Sequence, residues 1–270
     1  MTRHQFLYKL FYIFEKVHCH VMVLFSTPGF LIFEMSVVRP ALIEIYKPGI
    51  AKQCLHIFLC MFCFINVTGN MMMSIYNDGN LKNKRLKPTE GGDYCKLCET
   101  YRPPKAWHCR RCNVCILRRD HHCFFFSRCI GLYNRRYYLL YLAYMHITMI
   151  YSSYYNYYFV SSKFKDHGFF LAVLRILNPV LRFFIPEPMA TKDLYVLLFL
   201  FNVGLIAWSA VLFRFHMRNT IRGVTAHEHR DPAKNNWRDN LISVFGRRWY
   251  FAIVWPFVDS PVDVETNKEY

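Results

Sequence analysis

Acidic residues are scarce in this chain of 270 residues, and ionisable residues of any kind are nearly absent from two of its long apolar stretches. Asp and Glu together number 18 against 34 Lys and Arg, so the formal net charge is +16. The two stretches cover about residues 54–76 and 194–215, each near the roughly 20 residues that a transmembrane helix needs. Such uncharged stretches are rare in soluble domains, so the sequence indicates an integral membrane protein.

Other common features are also missing. No cleavable signal peptide is expected, because Lys9, Glu15 and Lys16 interrupt the N-terminal apolar segment and no small-residue cleavage site follows. No internal repeat or low-complexity linker stands out. The basic excess suits cytoplasmic loops, anionic lipid or an anionic substrate. Beside such long apolar stretches it argues against nucleic acid as a partner.

Four stretches are candidates for membrane spans, at about residues 17–38, 54–76, 137–160 and 194–215. The first is the weakest, because Pro28, Gly29 and Glu34 interrupt it, and the third is rich in tyrosine. The segment 77–136 carries a dense set of Lys and Arg, and the positive-inside rule places it in the cytosol. Four spans then put both termini in the cytosol and the loop 161–192 in the lumen.

We therefore predict an all-α polytopic membrane protein with four transmembrane helices. A small cytosolic zinc-binding cysteine-rich domain lies between the second and third helices. The chain then has four parts: helices 1 and 2 with the N-terminal segment (1–76), the cysteine-rich domain (77–136), helices 3 and 4 with the lumenal loop (137–216), and a cytosolic tail (217–270).

Seven of the 11 cysteines crowd into one polar segment. That segment contains three CxxC spacings, at Cys95/Cys98, Cys109/Cys112 and Cys112/Cys115. Such pairs place two thiolates on one tetrahedral zinc ion. Two four-coordinate sites would use eight of the ten cysteines and histidines present, which leaves one thiol and one imidazole, and His121 and Cys123 lie close together. Spacing alone does not say which pair is left over, and a reading in which all ten build metal sites stays open.

The four residues Asp120–Cys123 read Asp-His-His-Cys, and in this setting they resemble the DHHC palmitoyltransferase family. The flanking residues agree with the family pattern: Arg102–Lys105 (Arg-Pro-Pro-Lys), His108-Cys109, and Cys129-Ile130-Gly131 followed by Asn134. Two positions depart from it. The family usually has Trp two residues after the catalytic cysteine and Asn just before the following cysteine, where this chain has Phe125 and Arg128.

The resemblance implies two interleaved structural zinc sites. Cys95, Cys98, His108 and Cys115 would hold one ion, and Cys109, Cys112, His122 and Cys129 would hold the other. With four protein ligands each, neither ion has an open position for water. The resemblance leaves Cys123 as the nucleophile, His121 as its general base, and Asp120 to orient the imidazole.

The implied activity is protein S-acyltransfer (palmitoyl transfer) in Golgi or endoplasmic reticulum membranes. A long-chain acyl-CoA such as palmitoyl-CoA would load Cys123, and the acyl group would pass to cytosolic cysteines of membrane-associated proteins. Candidates to hold the CoA phosphates are Arg118, Arg119, Arg135 and Arg136; the alternative is that most basic residues there simply serve topology. The alternative is a catalytically impaired DHHC-like zinc-binding membrane adaptor, a reading that Arg128 favours.

Two weaker motif matches lie outside the cysteine-rich segment. Asp78-Gly79 resembles the family's Asp-Pro-Gly motif without its proline, and Thr225 with Glu228 resembles its Thr-Thr-x-Glu motif imperfectly. An ordinary turn is the alternative for both.

Overall fold

Helices dominate the fold in the computed structural model, which describes residues 3–77, 79–81, 88, 91–164, 168–178, 180–181, 191–227 and 236–262. Its helices are α1 (Arg3–Val21), α2 (Thr27–Phe33), α3 (Arg39–Tyr46), α4 (Ile50–Tyr76), α5 (Arg135–Ser161), α6 (Gly168–Leu177), α7 (Thr191–Ile221), α8 (Trp237–Phe245) and α9 (Trp249–Val254). Its strands are β1 (Asp93–Cys95), β2 (Thr100–Arg102), β3 (Trp107–Cys109), β4 (Val114–Ile116), β5 (His121–Cys123) and β6 (Arg128–Ile130).

Among the described residues, three helical stretches are long and apolar enough to cross a bilayer. They are Leu10–Tyr46, Ile50–Tyr76 and Thr191–Ile221. The predicted third span forms α5, a helix of 27 residues whose many tyrosines make it less apolar than these three. The fold is therefore mostly helical, as expected, while the count of four spans stays a prediction.

The first apolar stretch remains helical through Pro28 because the backbone widens just ahead of that residue. A proline has no N–H to donate to the preceding turn, which normally breaks or kinks a helix. Here a π-helical turn, Met22–Ser26, lies just before Pro28, and a second one, Glu34–Val38, lies just before Pro40. After each turn, the residue before the proline donates its backbone N–H five residues back. Pro28 therefore does not interrupt the helix, although the sequence predicted that it would.

The chain divides into two compact units, of which the second comprises residues 29–63 and 143–211. Its apolar core contains Val38, Leu42, Phe159, Val160, Ala172 and Val196. Glu34, the acidic residue of the first apolar stretch, is buried in this unit. Ser152 Oγ and Asn156 Nδ2 on α5 donate to Glu34 Oε2 at 3.1 and 3.3 Å. These hydrogen bonds offset the cost of placing a carboxyl group among apolar helices.

The first unit, residues 1–28, 64–142 and 212–270, contains the cysteine-rich segment, which folds as three antiparallel hairpins. The all-α prediction is therefore wrong for this segment. The first strand of each hairpin ends in a cysteine, and these three cysteines recur every 14 residues, at Cys95, Cys109 and Cys123. Each turn closes on a residue with positive φ four positions later, namely Glu99, Asn113 and Ser127. The structure thus contains an internal repeat that the sequence analysis did not find.

Asn134 fixes the end of the third hairpin to the helices beside it. Its Oδ1 accepts from the Gly131 backbone N–H at 2.8 Å. Its Nδ2 donates to the carbonyls of Ser74 and Cys129, each at 2.9 Å. Ser74 belongs to α4, and Asn134 directly precedes α5. One buried amide therefore sets where the hairpin meets two helices.

Candidate active site

The first group of metal-ligating side chains contains Cys95, Cys98, His108 and Cys115, whose donor atoms all lie within 4.8 Å of one another. The first two come from the turn of the first hairpin. The other two face each other across the second hairpin. His108 Nδ1 lies 3.7, 3.3 and 4.0 Å from the sulfurs of Cys95, Cys98 and Cys115, respectively.

The second group repeats this construction one hairpin further along the chain, with Cys109, Cys112, His122 and Cys129. Here the turn of the second hairpin supplies two cysteines, and the third hairpin supplies a facing His-Cys pair. His122 Nδ1 lies 3.5, 3.3 and 3.7 Å from the sulfurs of Cys109, Cys112 and Cys129. The two groups are interleaved, because the two cysteines of one hairpin combine with the facing His-Cys pair of the next hairpin.

Both groups have the dimensions of a zinc tetrahedron. Zn–S bonds of about 2.3 Å and Zn–N bonds of about 2.1 Å give tetrahedral edges of about 3.6–3.8 Å. The Cys112–Cys129 sulfur separation is 3.7 Å, and the nitrogen–sulfur separations scatter around the same range. Three thiolates and one imidazole form a complete donor set for structural zinc. The two clusters could therefore bind zinc, while the role of each ligand stays a prediction.

Cys123 stands at the position that the first turn cysteine holds in the other two hairpins, yet it belongs to neither cluster. In those hairpins a second cysteine follows three residues later, whereas Phe126 follows Cys123 at that spacing. The third hairpin gives His122 and Cys129 to the preceding cluster, and no further hairpin follows it in the described residues. Cys123 is therefore the thiol that the ligand count leaves over.

His121 lies on the same face of β5 as Cys123, because residues two apart in a strand point the same way. Its Nδ1 lies 2.7 Å from Asp120 Oδ2. That hydrogen bond places the Nδ1 proton toward the carboxylate and leaves Nε2 as the acceptor. Burial, together with the nearby His216 and Arg135, lowers the pKa of His121 against the opposing effect of Asp120, so the ring is neutral near pH 7. A neutral imidazole on the same strand face as a thiol has an acceptor nitrogen available for a proton.

Asp120 is almost fully buried and is held by four groups. The Ala226 backbone N–H donates to Oδ1 at 2.9 Å, and Arg135 Nη2 lies 3.5 Å from the same oxygen. His216 Nδ1 lies 3.3 Å from Oδ2, beside His121. Burial would raise the pKa of Asp120, but Arg135 and the two histidines hold it well below its ordinary value. The carboxylate is therefore ionised and fixed in place.

The Cys123 thiol lies in an environment that favours its protonated form. Burial raises its pKa to about 11, although the backbone N–H groups of Phe126 and Phe125 point at the sulfur and oppose that shift. The thiol therefore holds its proton near pH 7 and needs a base to become a nucleophile.

His216 and Tyr138, two residues beside His121, were not predicted from the sequence. The His216 ring lies 4.8 Å from that of His121, and the Tyr138 ring lies 5.1 Å from His121 and 4.9 Å from His216. The sequence contained one signal for His216, since it is an ionisable residue at the edge of an apolar stretch, where such residues often have a function. Residue spacing could not predict that His216 lies beside Asp120 and His121.

Three of the four arginines expected to hold CoA phosphates make other contacts. Arg118, Arg135 and Arg136 are buried, and their guanidinium groups donate to backbone carbonyls of the chain that follows α7 and α9, at 3.4, 2.7 and 2.5 Å. The physical reason is that these carbonyls lie in buried residues outside helices and strands, and an arginine can satisfy them. These three arginines hold the segments that follow α7 and α9 in place, and a role toward CoA phosphates stays a prediction.

A family model described as DHHC palmitoyltransferase matches residues 88–232, more than half of the chain. The chain belongs to the DHHC palmitoyltransferase family. It is 28% identical over 257 residues to human "Palmitoyltransferase ZDHHC22", covering 93% of each chain. It is 29% identical over 224 residues to rat "Probable palmitoyltransferase ZDHHC24", covering 78% of this chain and 76% of that protein. The zebrafish protein of the same name is 32% identical over 221 residues, covering 77% and 72%.

The family membership confirms the resemblance drawn from the sequence. The protein is a DHHC palmitoyltransferase, an enzyme of protein palmitoylation, and its apolar helices indicate a membrane protein.

The two departures of this DHHC chain from the family pattern lie in the third hairpin. Phe125 keeps aromatic contacts, with ring centroids 6.0 Å from Tyr141 and 5.7 Å from His18. Arg128 is half-buried and pairs directly with Cys123 in the register of β5 and β6. The change of charge therefore lies opposite the candidate nucleophile rather than within a metal cluster.

One of the weak motif matches reaches the site. Thr225 is fully buried, and the next residue, Ala226, donates its N–H to the buried carboxylate. The Gly79 carbonyl of the other match accepts from the backbone N–H of residue 117 at 2.9 Å. Asp78 and Glu228, the acidic residues of the two matches, lie outside the described residues.

Proposed function

We propose that this enzyme takes a long-chain acyl group, such as palmitoyl, from acyl-CoA onto Cys123 and passes it to cytosolic cysteines of membrane-associated proteins. The observation that carries the proposal is the position of Cys123. It lies outside both clusters and shares a strand face with His121, which Asp120 binds at 2.7 Å.

In the first step His121 Nε2 accepts the proton of Cys123 as the sulfur attacks the thioester carbonyl carbon of acyl-CoA. The bond between that carbon and the CoA sulfur breaks, and its electron pair stays on the CoA sulfur, which takes the proton from the imidazolium. Asp120 stabilises the imidazolium without becoming protonated. The products are acyl-Cys123 and free CoA.

In the second step the thiol of the protein substrate replaces CoA. His121 accepts its proton, and the sulfur attacks the acyl-Cys123 carbonyl carbon. The bond from that carbon to the Cys123 sulfur breaks, and Cys123 regains a proton from the imidazolium. The sequence of steps predicts two-stage kinetics with a thioester intermediate on the enzyme.

The proposal gives two zinc ions a structural role. One is bound by Cys95, Cys98, His108 and Cys115, and the other by Cys109, Cys112, His122 and Cys129. Each set of ligands comes from two neighbouring hairpins, so a bound ion would join those hairpins and supply structural support. The ligands His122 and Cys129 flank the acylation residue on its own hairpin, so metal binding fixes the strand that presents Cys123.

We further propose that α5 is a fourth span, which gives the four-part organisation 1–76, 77–136, 137–216 and 217–270. Both termini and the hairpins then face the cytosol of Golgi or endoplasmic reticulum membranes. The lysines and arginines of the hairpin segment support this orientation. An apolar space between spans would receive the acyl chain.

The decisive experiment is labelling of the purified protein with palmitoyl-CoA, followed by neutral hydroxylamine, which cleaves thioesters. Wild-type protein should carry a hydroxylamine-sensitive label and about two zinc ions. Cys123→Ser should lose the label and keep the zinc. Cys54→Ser is the matched control, because Cys54 is exposed and belongs to neither cluster, and it should label like the wild type. Unlabelled wild-type protein with two zinc ions would favour the adaptor alternative.

A further inference from the structure

Glu15, on α1, is a buried carboxylate aimed at one of the proposed zinc ligands. It is 1% exposed, and its Oε1 lies 2.6 Å from Nε2 of His122, 107 residues away in the chain. The other ring nitrogen of His122 faces the three sulfurs of its cluster. Arg111 Nη1 lies 3.5 Å from Oε2 of the same carboxylate. The imidazole therefore joins the cluster to a charged group on a helix.

The first cluster lacks this arrangement. Its histidine, His108, presents Nδ1 to the sulfurs in the same way, but its Nε2 is buried and has no hydrogen-bond partner within the described parts of the chain. The two clusters are alike in donor set and hairpin geometry. The Glu15 carboxylate is thus a feature of the cluster whose hairpin carries Cys123.

The same helix also holds the turn that follows Cys123. Lys16 Nζ donates to the Ser127 carbonyl at 3.1 Å, and Cys19 Sγ donates to the Phe126 carbonyl at 3.4 Å. The Phe124 ring packs among aromatic side chains of α1 at centroid distances of 5.4–6.3 Å. Glu15 is therefore one of several α1 residues that contact the third hairpin, which carries Cys123.

We propose that Glu15 is a positioning residue for the second metal cluster. It accepts a hydrogen bond from the Nε2–H of His122, which fixes Nδ1 as the ligating nitrogen and sets the orientation of the ring. A carboxylate in this position makes the ligating nitrogen a stronger donor, and its loss typically costs about 10- to 100-fold in metal affinity. The inference rests on the zinc sites of the proposed function and goes beyond them, because it assigns α1 a role in holding the metal.

The test measures zinc release from the full-length protein in detergent, using the chromogenic chelator 4-(2-pyridylazo)resorcinol. In Glu15→Ala, one of the two zinc ions should be released about 10- to 100-fold faster, and the other at the wild-type rate. For Glu15→Gln, the release rate of the affected zinc ion should lie between the rates of the wild type and Glu15→Ala. The amide oxygen of Gln still accepts the N–H but carries no charge. With Co²⁺ in place of zinc, Glu15→Gln should shift the absorption of about half the bound metal.

Two controls assign the effect to His122. Lys16→Ala removes a contact from the same helix to the same hairpin without touching a ligand, and should leave both release rates unchanged. In a Cys112→Ser background, where the second cluster is disabled, adding Glu15→Ala should not change release of the remaining zinc.

Three outcomes would overturn the inference or its basis, and they are distinguishable. Two zinc ions released at wild-type rates from Glu15→Ala would refute the role of Glu15. Equal acceleration of both ions would mean that Glu15 supports the hairpins in general and not His122. Wild-type protein without zinc would instead refute the metal sites of the proposed function.

Discussion

Removing the imidazole of His121 should slow acylation of Cys123 by about the usual contribution of a positioned general base. Burial raises the pKa of Cys123 to about 11, so about one thiol in 10⁴ is ionised at pH 7 without a base. A positioned general base typically contributes about 10²- to 10⁴-fold. His121→Ala should therefore reduce the acylation rate at pH 7 by about 10²- to 10⁴-fold.

The pH dependence of this variant has a definite sign. Because the thiol pKa lies above the assay range, the thiolate fraction grows about tenfold with each pH unit until the pH approaches that pKa. The rate for His121→Ala should therefore rise about tenfold per unit between pH 7 and 9. The wild-type rate should change little above pH 7, because burial lowers the pKa of His121 and the ring is already neutral there.

The assay is the time course of hydroxylamine-sensitive label from palmitoyl-CoA between pH 6.5 and 9, with Cys123→Ser subtracted as background. Zinc content and thermal unfolding should match the wild type, because His121 is not a proposed ligand. A variant with full zinc content and a wild-type rate at pH 7 would refute the role of His121 as base. A slow variant whose rate does not rise with pH would indicate lost geometry rather than a lost proton acceptor.

Three further predictions test the metal, the departure from the family and the topology. Cys112→Ser should lower the zinc content from about two ions to about one and lower the unfolding temperature; a fully loaded, stable variant would contradict the ligand set. Arg128→Asn, which restores the usual family residue, should leave labelling similar or raise it, and a label on this variant but not on the wild type would identify Arg128 as the cause of inactivity. Tags at Met1 and Tyr270 should be reached after selective permeabilisation of the plasma membrane, and a tag in the 163–168 loop should stay protected; an accessible loop tag would mean an odd span count or the reverse orientation.

The grouping of residues that are close in the chain could be predicted from the sequence, because their geometry depends on only a few residues. A CxxC pair implies a shared metal by its spacing alone, and the interleaved groups that the family pattern implied are the groups that the structure brings together. His121 and Cys123 are two residues apart, so a strand places them on one face. The roles of these residues still await the experiments above.

Contacts between distant segments could not be predicted. Glu15 looked like an interruption of an apolar segment, yet it binds His122 across 107 residues. His216 looked like the edge of a span, yet it lies beside Asp120. Arg135 was a candidate to hold CoA phosphates, yet it lies 3.5 Å from the same carboxylate. In each case an ionisable group had a partner that only the fold could supply.

The internal repeat escaped the sequence analysis for a different reason. The hairpin register repeats, but the residues at equivalent positions differ. The facing pair that is His-Cys in the second and third hairpins is Tyr94 and Tyr101 in the first, with ring centroids 5.1 Å apart. Metal ligands are needed at these two facing positions only when the preceding hairpin supplies two cysteines to the same metal site. The first hairpin has no predecessor among the described strands, and it fills the position with packed aromatic rings.

The repeat also explains why Cys123 is suited to chemistry. In the first two hairpins, backbone N–H groups of the turn point at the cysteine sulfur, as from Cys98 to Cys95, and there they would support a metal-bound thiolate. In the third hairpin, the N–H groups of Phe125 and Phe126 point at Cys123 in the same way. Phe126 replaces the second turn cysteine, and Cys123 belongs to neither metal-ligating cluster of the described residues. Under the proposed function, a turn shaped for a metal ligand would instead present the Cys123 sulfur to a thioester carbonyl, on a strand that the neighbouring cluster would keep in place.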